Sequence, residues 1–146
     1  VKPTYVDANV FPLLMLRFLD VLLTIVHLGI VLFNLFGWIP KATRKAHFIS
    51  ILLTAASWFL LGIWYGMGFC PVTEWQWNVK AKLGERNIPG NFIEYIAEKV
   101  TGYDFEPQLV SSVIAICFLL AAVLSVWVNF VYPWLRRQAG RKAAGT

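Results

Sequence analysis

The chain has 146 residues, 58% of them hydrophobic and 14% charged, with a mean hydropathy of +0.62. That is too apolar for a water-soluble domain, and no polar flank is long enough to hold a separate soluble enzyme. The net charge of +5 sits beside hydrophobic runs, where it orients spans in a membrane; this excludes a nucleic-acid-binding reading.

The pattern is all-α. It predicts one helical membrane domain over residues 1–146, with transmembrane helices at about 11–36, 47–69 and 109–132 and an outer loop at 70–107. Val1 to Val10 is polar enough for the interface, and Pro12 is placed in the first helical turn. The first apolar run is too long for a signal-peptide core, about 7–15 residues, so it is expected to be retained as a helix.

That first run carries Arg17, Asp20, Thr24, His27 and Asn34, spaced 3, 4, 3 and 7. On a helix these fall on one face. A spanning helix turns such a stripe towards other helices or a wet cavity, because ionisable groups are costly in hydrocarbon. Gly37, Trp38 and Pro40 end the run.

Lys41, Arg44 and Lys45 form a basic loop, a cytoplasmic signal. The second run has its own polar row, His47, Ser50, Thr54 and Ser57. A short loop makes the two helices antiparallel neighbours, and counting outward from it sets His27 level with Ser57. The two rows are therefore expected to face each other, with His27 hydrogen-bonded to Ser57. Gly62 and Gly66 give a small-xxx-small pair suited to close helix approach. Cys70-Pro71 is expected to end this span.

Residues 72–107 hold four basic and six acidic side chains, a net of −2. Two short helices are predicted there, Thr73 to Leu83 capped by Thr73 and Asn91 to Thr101 capped by Asn91, with Glu94 three residues on. Their aromatic residues, among them Trp75, Trp77, Phe92 and Tyr103, are expected on the membrane surface or folded over the helix ends. The third span has a small and polar face of Ser111, Ala115, Ala122, Ser125 and Asn129, and Pro133 is expected to stop it. Arg136, Arg137, Arg141 and Lys142 follow. Both basic segments belong on one side, which puts the N-terminus outside and the C-terminus in the cytoplasm.

The run from His27 through the basic loop with His47, then Trp58, resembles a bacterial family known as domain-of-unknown-function family 2784. The clearest pieces are C-P-V-T-E at Cys70, Pro71, Thr73 and Glu74, and Gly-x-Phe-Ile-Glu at Gly90, Phe92, Ile93 and Glu94. The resemblance covers residues 17–132 and implies a small integral protein of the bacterial inner membrane. It implies no activity.

Two groups of residues are candidate sites. The intramembrane group is Arg17, Asp20, Thr24, His27 and Ser57. Arg17 and Asp20 read most simply as a mutually neutralised pair, and more sharply as a proton or ligand site. His27 either joins helices through one donor and one acceptor, or holds a haem or a quinone. A bis-histidine haem does not fit, since His47 is about ten residues away in level, about 15 Å at 1.5 Å per residue. The outer group is Cys70, Glu74 and Glu94. Without an outer histidine it makes a poor metal centre, and the two glutamates read as helix caps or as partners of Lys80, Lys82 or Arg86. Cys70 and Cys117 are expected at different depths, which argues against a disulfide between them. No catalytic triad, phosphate loop or paired catalytic carboxylate has the required spacing.

The expected partners are the lipid bilayer and other membrane subunits, with no nucleic acid. The leading functional expectation is an accessory or structural subunit of a larger membrane complex. The alternatives are a haem- or quinone-binding protein centred on His27, and a small membrane enzyme or proton-handling protein using Arg17, Asp20 and His27.

Overall fold

A computed structural model describes residues 5–66 and 68–144. Among them there are helices and no strands. Helix α1 (Tyr5–Phe36) is 32 residues long, about 48 Å at 1.5 Å per residue. Pro12 lies inside it rather than in its first turn. A proline keeps helical φ and forfeits a single backbone bond, so the helix continues on both sides.

The turn after α1 is held by side chains. Thr43 Oγ1 donates to Gly37 O at 2.7 Å, Arg44 Nε to Trp38 O at 3.2 Å and Trp38 Nε1 to Leu35 O at 2.9 Å. Helix α2 (Arg44–Ala56) passes through a wider π turn (Ser57–Leu61) into the short α3 (Gly62–Tyr65). This rod stops at Tyr65, before the expected Phe69. Gly66 at φ +100° and Gly68 at φ +86° end it in a conformation that L side chains avoid. Gly66 is thus a helix stop and not a packing partner to Gly62; a Cβ there would meet nothing within 4 Å.

Helix α4 (Pro71–Lys82) starts earlier than its predicted Thr73 cap. Pro71 in the first turn sets the start, since its missing N–H would have no helical partner there. Cys70 is the residue before it and makes no side-chain cap. Helix α5 (Phe92–Thr101) starts as predicted: the Asn91 carboxamide oxygen accepts from Glu94 N at 2.8 Å, and its amide donates to Glu94 Oε2 at 2.7 Å. Gly102 at φ +69° closes it.

Helix α6 (Pro107–Val126) continues through a π turn (Trp127–Val131) into α7 (Tyr132–Ala144). The expectation that Pro133 ends this helix is corrected. The wide turn immediately before the proline, with Tyr132 N–H on Trp127 O, takes up the missing bond and the ring's bulk.

One hydrogen-bonded layer sets the level of the three long helices. His47 on α2 bonds Asn34 O on α1 at 2.9 Å and Ser125 Oγ on α6 at 3.0 Å. From His47 to Tyr65 and from Ser125 to Pro107 are both 18 residues, so α3 and α6 reach the same rim, about 27 Å away; outer denotes this end, opposite the basic loop, and inner the other. The same count along α1 from Asn34 ends at Leu16, and α1 runs on for about 16 Å beyond the rim.

Helices α4 and α5 do more than rest on a surface. Ser57 Oγ donates to Phe69 O at 2.9 Å, which brings the chain after α3 back about 12 Å inside the rim. Helix α4 then climbs outward along α1: Gln76 reaches Thr24, and Lys80, one turn on, reaches Asp20, one turn back. Phe92 at the start of α5 lies flat on the His27 ring, centroids 4.0 Å apart and planes 12° apart. The outer segment is folded into the outer half of the bundle.

The interior of this bundle is polar. Among the described residues the buried apolar ones are Ile51, Phe92 and Ala121, whereas His27, Asn34, His47, Gln76, Lys80, Glu94 and Ser125 are buried and polar. Large apolar side chains are exposed along every long helix. That distribution costs too much in water and suits a chain whose solvent is hydrocarbon.

Candidate functional site

The polar stripe of α1 splits into two separate clusters. The outer one is built on Asp20. Lys80 Nζ lies 2.9 Å from each of its carboxylate oxygens. Gln76 Nε2 donates to Thr24 Oγ1 at 2.6 Å and approaches Asp20 Oδ1 at 3.4 Å. Thr24 Oγ1 in turn donates to Asp20 O at 2.8 Å. Lys80 also donates to Tyr95 Oη at 2.8 Å with its ammonium 4.4 Å from that ring's centre, and Tyr95 Oη donates to Glu85 Oε2 at 3.2 Å.

Lys80 is 2% exposed. Burial opposes its charge, but the hydrogen bonds it donates to Tyr95 and Asp20, with the Asp20 carboxylate, outweigh it and hold the ammonium above the ordinary lysine range. The cluster is a neutralised ion pair inside a shell of dipoles, the arrangement in which buried charge is tolerated.

His27 is 7% exposed, one turn below Thr24, with Phe92 over its face and no partner for Nδ1. Gln76 Oε1 and Trp77 Nε1 are also buried without partners. The predicted His27–Ser57 bond does not form. Ser57 is taken by Phe69 O because the chain after α3 folds back against it. The predicted Arg17–Asp20 pair is replaced by Lys80–Asp20, and Arg17 is exposed.

The inner cluster is the His47 layer. Asn34 Nδ2 donates to Thr54 Oγ1 at 2.9 Å, and Ser50 Oγ donates to Asn34 Oδ1 at 2.6 Å. Here the polar rows of α1 and α2 meet as expected. Asn34 O only accepts, so His47 Nε2 carries a proton and donates to it. Gly37 permits the approach: a Cβ there would lie 2.6 Å from Phe33 O and 2.9 Å from His47 Cδ2. Sequence reading singled out His27 and passed over His47, which is fully buried.

The outer motif residues converge on one cavity of about 390 Å³, lined by residues that include Tyr65, Phe69, Cys70, Glu74, Trp77 and Asn91. Cys70 and Glu74 are therefore brought together with the Asn91 cap, while Glu94 is buried behind that cap. Burial first, then the charges of Glu98 and Asp104, push the Glu94 carboxyl above the usual carboxylate range. Cys70 and Cys117 are both free thiols. Among the described residues no three His, Cys, Asp or Glu side chains are grouped to hold a metal ion.

Three helices long and apolar enough to cross a bilayer, Val10–Phe36, Arg44–Tyr65 and Pro107–Arg141, around a paired polar interior, define a small multi-pass membrane protein. The chain matches the family described as Protein of Unknown function (DUF2784) over residues 17–132, and it belongs to that family. No curated protein and no solved structure matches it.

Proposed function

We propose that the protein is an accessory or structural subunit of a larger membrane complex in the bacterial inner membrane, with its N-terminus outside and its C-terminus in the cytoplasm. The overhang of α1 carries this reading. Val10, Phe11, Leu13, Leu14 and Met15 are all exposed on the stretch that outruns α3 and α6. Where α1 runs past its neighbours, this apolar face is free to pack against a helix of another subunit. The interior points the same way: Asp20 and His47 are bonded within the chain, so the best-placed ionisable groups already serve the fold. The basic residues Lys41, Lys45, Arg136 and Arg137 at one end support the orientation.

Purification in mild detergent from native membranes tests this. Partners should accompany the chain in fixed stoichiometry and be lost on Leu14→Lys. A wild-type chain that emerges as a free monomer contradicts it. The unpartnered Nδ1 of His27 favours the second reading, a cofactor held there; a co-purifying chromophore that disappears in His27→Ala would support it.

A further inference from the structure

We propose that the cavity between the end of α3, the start of α4 and the Asn91 cap binds an ammonium head group. Its walls carry the argument. Tyr65 and Phe69 stack at 4.6 Å between centroids, and Trp77 supplies a third ring. Aromatic faces attract ammonium groups through their quadrupole, indole most of all. Glu74 is the one charged residue in the lining, and no basic residue lines it among the described ones.

The surroundings are acidic as well. Glu94 lies behind Asn91, with Glu98 and Asp104 close enough to disfavour its charge. The nearby lysines are committed elsewhere, Lys80 to Asp20 and Tyr95 and Lys99 to Tyr95 and Glu85. The positive ends of α4 and α5 are each offset by an acidic residue in the first turn, Glu74 and Glu94. A bound cation therefore meets Glu74 without net repulsion from the two helix ends. The volume of about 390 Å³ suits a head group and not a whole lipid. Tyr65 in the lining ends α3, and the exposed Ile63 and Trp64 that precede it offer a track for acyl chains. The ammonium belongs either to an aminophospholipid or to a free amine.

Native mass spectrometry of the full chain, released from detergent with added lipid, tests the site. The probes are phosphatidylethanolamine, phosphatidylglycerol, and ethanolamine or tetramethylammonium without lipid. One phosphatidylethanolamine should be retained per chain in preference to phosphatidylglycerol. Binding should weaken about tenfold in Glu74→Gln and also in Tyr65→Leu, two exposed positions. Glu106→Gln, outside the lining, should bind as the wild type does. Retention of the free amines instead of the lipid supports the site with a soluble ligand. Equal retention of the two lipids without amine binding, or undiminished binding in Glu74→Gln, overturns the proposal.

Discussion

Lys80 bridges both carboxylate oxygens of Asp20 at 2.9 Å across 60 positions of sequence. This contact joins a segment that looks like a surface loop to α1, an unbroken helix of 32 residues. It also removes the isolated charge that a carboxylate in a spanning helix would otherwise carry. The outer segment is thus the counter-charge of α1 and part of its packing.

Gln76 tests the same interface from beside the ion pair, 3.4 Å from Asp20 Oδ1. It is fully buried, donates to Thr24 and leaves Oε1 unpartnered. Gln76→Glu sets a second carboxylate beside Asp20 and should cost about 3 kcal/mol. Gln76→Met removes a donor and an orphaned acceptor together and should cost about 1 kcal/mol. Thermal unfolding in detergent ranks the two, and an equal loss would place Gln76 outside the charged cluster.

At the inner layer, Gly37→Ala should destabilise by about 1–3 kcal/mol through overpacking. The added methyl would press on Phe33 O and His47 Cδ2. The observable is a lowered melting temperature with faster amide exchange at Ser50 and Ser125, because His47 must withdraw. Unchanged exchange there would contradict the close approach.

Two outer groups give stability a pH dependence of known sign. Glu94 is raised by burial, then by Glu98 and Asp104. The folded chain therefore holds its proton longer than the unfolded chain. Its contribution falls as pH rises from about 4.3, the unfolded value, through the folded value. Glu94→Gln should flatten that part of the profile. Lys80 is raised as a cation. Its contribution is complete below about 10.4 and is lost as pH climbs through the folded value. Melting curves of wild type and Glu94→Gln from about pH 4, near the unfolded value, up to about pH 7 check the first; a steeper slope in the variant reverses the assignment.

The sequence makes α1 legible because its stripe repeats at helical spacing, and the meeting of Asn34 with Ser50 and Thr54 follows from the short basic loop. The partner of Asp20 is not legible in this way. Lys80 lies in a polar stretch with several other charges, and only the fold-back of Phe69 onto Ser57 brings it to α1. Pro133 misleads for a different reason: a π turn absorbs it, and nothing in Trp127 to Val131 announces that turn. The convergence of Cys70 and Glu74 with Asn91 was half visible, as two motifs whose spacing along the chain says nothing about distance in space.

A double-mutant cycle on Asp20→Asn and Lys80→Met, read as unfolding free energy in detergent, tests the central claim most directly. Each single variant strands a buried partner and should lose about 3–5 kcal/mol, while the double variant should lose much less than their sum. Losses that add within about 0.5 kcal/mol would mean the two side chains do not meet, and the outer segment is not folded against α1 as described.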